Sequence, residues 1–120
     1  MSPEDLIATS VERRAGVVVL RVTGEVDLSS APHLAGAIDD VLAEEPTALI
    51  IDLSAVDFLA SVGLQVLGET GERLKGQRHF AVVASGPTTL RPIRLTGMDS
   101  KFELHTTVDD ALREIPPLLD

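Results

Sequence analysis

The sequence predicts an α/β fold: a mixed β-sheet, antiparallel in its first hairpin and mostly parallel after it, packed with about four helices in the order ββαβαβαβα. Three observations predict it. From Ala48 the chain is apolar until Asp52, without polar alternation, which suits a strand buried on both faces. Two further runs, VVVLRV from Val17 and HFAVVA from His79, are separated from it by segments whose apolar residues recur at helical spacing. The first two candidate strands are joined by a short polar turn, so they pair as a hairpin rather than through a crossover.

Leu6 to Val11 is the predicted edge strand, and Glu12-Arg13-Arg14-Ala15-Gly16 the turn after it. Val17 to Val22 is the second strand, leading into Thr23-Gly24-Glu25-Val26-Asp27. Ser29-Ser30-Ala31-Pro32 starts a helix, because serine is an N-cap residue and proline tolerates the first turn. Leu34, Ile38, Val41 and Leu42 form its apolar stripe, and Glu44-Glu45-Pro46 ends it. After the strand Ala48–Leu53, Val56-Asp57-Phe58-Leu59 leads to the turn Ala60-Ser61-Val62-Gly63. There Ser61 is the expected helix cap. The helix that follows carries Leu64, Leu67, Gly71 and Leu74 on one stripe, its glycines allow close packing on the sheet, and Lys75-Gly76-Gln77 closes it. His79 to Ala84 is the next strand, and a short helical piece runs through Leu90 and Ile93 to Gly97. Phe102 to Leu104 is the last strand. Thr107 then caps a helix with Asp110 three residues on, Val108, Ala111, Leu112 and Ile115 form its stripe, and Pro116-Pro117 stops it. No repeat or linker interrupts the 120 residues, so a single domain over residues 1–120 is expected.

Composition narrows the function classes. The formal net charge is −9, which opposes nucleic acid and anionic membranes and favours a protein or cationic partner. There is no cysteine, so disulfides, thiol catalysis and cysteine-zinc sites are excluded. The amino-terminal stretch lacks the pattern of a signal peptide, and no apolar run reaches the length of a membrane span, so a cytoplasmic protein is expected.

Several chemistries can be weighed on single residues. A nucleophile elbow needs Gly-x-Ser-x-Gly at a strand-to-helix turn; Leu59-Ala60-Ser61-Val62-Gly63 lacks the first glycine, although Asp99 and His105 follow in hydrolase order. A phospho-receiver reading would use Asp52 with Glu25 and Asp27, but Lys101 is followed by Phe102 rather than proline. Asp52 reads better as a polar group bonded to loop amides at a strand end. His33, His79 and His105 are isolated in sequence, without metal-ligand spacing. No glycine loop matches a nucleotide fingerprint, and no cofactor is expected.

The chain Asp52-Leu53-Ser54-Ala55-Val56-Asp57-Phe58-Leu59, followed by Ala60-Ser61-Val62-Gly63-Leu64, resembles the signature of STAS domains, the family of bacterial anti-sigma factor antagonists. Gly24-Glu25-Val26-Asp27 resembles the family's Gly-x-Leu-Asp element. Phe102-Glu103-Leu104 and Val108-Asp109-Asp110-Ala111-Leu112 resemble its final strand and helix. With no transporter segment ahead of it, the chain resembles a free-standing regulator. The resemblance implies a non-enzymatic partner-switching protein. It would bind an anti-sigma factor, in this family often an ATP-dependent serine kinase, and so release a sigma factor. Phosphorylation of a serine at the helix start ends the contact.

The family's Asp-Ser-Ser-Gly-Leu falls on Ala60-Ser61-Val62-Gly63-Leu64, so the usual acceptor position is Val62, which cannot be phosphorylated. Two expectations follow. Ser61, one residue earlier, is the candidate phosphoacceptor, or the protein binds constitutively. The implied partner surface comprises Asp27, Ser29, Ser30, Ala60, Ser61, Val62, Gly63 and Leu64. A scaffold or small-ligand sensor with a non-kinase partner is the alternative, and a hydrolase using Ser61 a distant third.

Overall fold

In the computed structural model, which describes residues 7–115, the elements follow the expected order. They are β1 (Ile7–Arg14), β2 (Val17–Val26), α1 (Ala31–Leu42), β3 (Ala48–Leu59), α2 (Ser61–Leu74), β4 (His79–Val83), α3 (Pro87–Leu95), β5 (Glu103–His105) and α4 (Val108–Glu114), with a 3₁₀ turn at Met98–Ser100. Leu6, the expected start of the first strand, and Pro116-Pro117, the expected stop of the last helix, lie outside the described residues. The five strands form one sheet in chain order; β1 and β2 are antiparallel and every later pair is parallel.

The first hairpin is longer than its polarity suggests. Glu12, Arg13 and Arg14 belong to β1, and the turn is only Ala15-Gly16, with Arg14 opposite Val17. Both turn residues have positive φ, 50° and 85°, the type I′ geometry that matches strand twist. Charged residues tolerate this strand because it is the sheet edge. Arg13 reaches Glu44 with two nitrogens, at 2.8 and 2.6 Å.

Strand alternation sorts the side chains into two layers. Leu20, Val22, Leu49, Ile51 and Val82 share a buried cluster with Leu34 and Ile38 of α1, Leu64 and Leu67 of α2, and Ile93 of α3. On the other face, Val17, Val19, Ile50, Ala81 and Val83 pack against Ala111, Val108 and Leu112 of α4. Both faces of the central strands are therefore covered, which explains their continuous apolar runs.

β3 does not end near Asp52 but runs on to Leu59. It carries two extra residues relative to β2: Arg21 and Thr23 oppose Asp52 and Ala55, and Gly24 and Glu25 oppose Val56 and Phe58. These bulges return every third residue, Leu53, Val56 and Leu59, to the buried face. A spacing of three fits neither ordinary strand nor helix, so the segment looks broken in sequence. Asp52 is thus not a strand-end group. Only 1% exposed, it accepts from the amide and hydroxyl of Ser54 across the first bulge, at 3.0 and 2.6 Å, and from Arg21 Nε at 3.1 Å.

Candidate functional site

The carboxyl ends of β2 and β3 lie side by side, with Val26 opposite Leu59. The two strand-to-helix turns beyond them therefore meet, and the Ala60 amide donates to the Val26 carbonyl oxygen at 2.8 Å. This brings together segments some thirty residues apart in sequence, as the family resemblance implies.

Ser61 is not the helix cap. Ala60 holds that position, with extended backbone, and Ser61 is the first helical residue. The Ala60 carbonyl accepts from the amides of Gly63 and Leu64 at 2.9 and 3.1 Å. A cap needs its oxygen one residue earlier, over the second and third helical amides; from its actual position the Ser61 hydroxyl bonds to no group among the described residues and is exposed. An exposed hydroxyl at the positive end of a helix dipole is accessible to modification.

The neighbouring turn uses its serine differently. Ser30 is fully buried; its hydroxyl donates to the Glu25 carbonyl oxygen at 2.7 Å and accepts from the Asp27 amide at 2.9 Å. The Asp27 carboxylate accepts from the amides of Ser29 and Ser30 at 2.9 and 3.1 Å. Ser30 occupies the cap position of α1 without making a side-chain cap bond. It ties the turn to the strand instead.

The expected partner-binding set is brought to one end of the sheet but is not uniformly accessible. Ser29 and Ser61 are exposed, Asp27, Ala60 and Val62 half-buried, and Ser30, Gly63 and Leu64 buried. Leu64 belongs to the core, and a Cβ on Gly63 would lie 2.6 Å from Val26 Cγ1 and 2.8 Å from Leu59 Cδ1. Gly63 thus lets α2 start directly on the strands. Gly68 and Gly71 do not face the sheet as expected; they admit Met98 and the Lys101 backbone, respectively. Sequence reasoning omitted two residues at this end, Leu28 at 78% and Phe58 at 50% exposure. Their signal was a large apolar residue amid a polar turn, and one out of phase with its strand. Glu25, Asp27 and Asp57 give the same end a negative character.

The other candidate chemistries find different outcomes. His105 Nε2 lies 3.2 Å from Glu103 Oε1, and no hydrogen bond joins it or Asp99 to Ser61 among the described residues. His79, isolated in sequence, approaches the same carboxylate, Nε2 to Oε2 at 3.0 Å, without hydrogen-bond alignment. Among the described residues, no group of three or more histidine and carboxylate side chains is arranged to hold a metal ion.

Residues 8–111 match the family model described as the STAS domain, and the chain belongs to that family. It is 50% identical over 112 residues to the anti-sigma-F factor antagonist RsfB of Mycobacterium tuberculosis, covering 93% of this chain and 92% of that protein. It is 52% identical to an anti-sigma factor antagonist from Mycobacterium paratuberculosis whose crystal structure superposes with a TM-score of 0.88, over 96% of this chain and 98% of that one. The unphosphorylated form of the anti-sigma factor antagonist SpoIIAA, 17% identical, shares the fold with a TM-score of 0.74 over 94% of this chain and all of that one, 100%.

Proposed function

We propose that the chain is a cytoplasmic, non-enzymatic anti-sigma factor antagonist, a single regulatory domain that binds an anti-sigma factor through the paired turns after β2 and β3 and is switched by phosphorylation of Ser61. The half-identity to RsfB over nearly the full length of both chains supports the function. The position of Ser61 carries the switch: its hydroxyl is exposed and unbonded on the first residue of α2, while half-buried Val62 has no hydroxyl. A phosphate there adds about −1.5 to −2 charges at neutral pH. In a closed interface that charge must lose its water, and it joins Glu25, Asp27 and Asp57 at an already negative end. The amides of Ser61 and Val62, unoccupied by helix bonds, can hold the phosphate locally, so the switch needs no refolding.

The partner is an anti-sigma factor with serine-kinase activity, and Leu28 and Phe58 supply apolar contact at the same end. The deciding experiment incubates the chain with candidate anti-sigma kinases and ATP and maps phosphate by mass spectrometry. Phosphate on Ser61, with loss of the complex, is the expected result. Tight binding with no phosphate on any residue would replace the switch by constitutive antagonism.

A further inference from the structure

At the opposite end of the sheet, a cavity of about 450 Å³ opens between the last turn of α2, the start of β4 and the segment from Ser100 to Glu103. We propose that this cavity binds a phosphate-bearing small anion, held by Lys75, Arg78 and Lys101. The proposal is independent of the Ser61 switch.

Charge is the first reason. The chain carries a net −9, yet its only two lysines, Lys75 and Lys101, both line this cavity together with Arg78. Arg78 is the one lysine or arginine among the described residues that is not exposed. Its Nη1 donates to the Pro46 carbonyl oxygen at 2.6 Å, which orients the guanidinium, while its Nε–H is buried with no acceptor among the described residues. The other terminal nitrogen of the half-buried guanidinium has no acceptor among the described residues, and an oxyanion can accept from it. Neither Lys75 nor Arg78 has a carboxylate partner among the described residues.

Two carboxylates share the lining. Glu72 pairs with Lys101 Nζ at 3.2 Å, and Glu103 Oε1 lies 3.2 Å from His105 Nε2. The Leu74 carbonyl, at the negative end of α2, accepts from the Gln77 and Arg78 amides. Gly71 lets the Lys101 backbone lie against α2, which sets the lysine at the rim. Leu74, Phe80 and Phe102 form an apolar wall, the two rings edge to face with centroids 5.8 Å apart. The volume exceeds that of bare phosphate and falls in the range of small-molecule sites.

The test is an NMR titration of the whole chain with inorganic phosphate and, separately, phenyl phosphate, at ionic strength held constant with sodium chloride. Saturable shifts of the amides of residues 75–79 and 100–103, with none at Ser61, are expected. Tighter binding of phenyl phosphate assigns an organic phosphate; equal or weaker binding assigns free phosphate. Lys75→Ala removes an exposed cation with no carboxylate partner among the described residues, and Arg78→Lys keeps charge but loses the fork; each should weaken binding roughly tenfold. Absence of any shift beyond that of chloride, or unchanged affinity in either variant, overturns the proposal.

Discussion

The two turns at the carboxyl end of the sheet both lead into helices but use serine in opposite ways. Ser30 sits at the cap position of α1, fully buried, and binds strand and turn together. Ser61 sits one residue further into α2, exposed, and binds nothing among the described residues. A shift of one position relative to the helix start separates a latch from a handle. The turn around Ser30 is tied to the strand by hydrogen bonds in which Ser61 takes no part.

Breaking the support shared by both turns should have the largest effect. Gly63→Val drives a side chain into Val26 and Leu59, and it should destabilise by about 3 kcal/mol in chemical denaturation. A loss below about 0.5 kcal/mol would mean that α2 can lift off the strands freely. Ser30→Ala comes next. It leaves the Asp27 amide and the Glu25 carbonyl without their buried hydroxyl partner, at a cost of about 2 kcal/mol. The matching change Ser61→Ala should lie within about 0.5 kcal/mol of wild type. Equal losses at the two serines would abolish the distinction.

Ser61→Glu sharpens the same contrast through binding. Affinity for the anti-sigma partner should fall at least about tenfold, equivalent to ~1.4 kcal/mol, with the thermal unfolding midpoint unchanged. Unchanged affinity in calorimetric titration would remove Ser61 from the interface. The smallest effect lies away from both turns. Hydrogen bonding from Arg13 outweighs desolvation and, with a lesser contribution from the Arg13 charge, holds the Glu44 carboxyl below its ordinary range. Its contribution is therefore present above the unfolded-state carboxylate pKa of about 4.3 and fades as pH falls through the lower folded value. Glu44→Gln should lower the unfolding midpoint slightly at neutral pH and leave it unchanged in strong acid. A pH-independent difference would show that the pair acts through packing.

Much of the candidate site was legible as motif and little of it as geometry. The Ser61 turn, its place after a buried strand and its family resemblance all follow from local residues. Burial does not. Ser30, Gly63 and Leu64 belong to the same motifs as Ser61, yet they face inward, because accessibility depends on what the neighbouring strand and helix place above each residue. Leu28 and Phe58 were missed for the same reason. Phe58 is turned outward by bulges that appear only when β3 is set against β2.

The sequence by itself determined the order of strands and helices, the antiparallel start, the turn that carries Ser61 and the loss of a hydroxyl at Val62. These rest on apolar periodicity, turn residues and side-chain identity, which are local. Tertiary structure alone decided that β3 continues through two bulges to Leu59, that Ala60 rather than Ser61 caps α2, and that His79 and His105 share Glu103. Each depends on pairing between segments distant in the chain. Register, burial and charge contact are set by that pairing, and no single stretch of residues contains it.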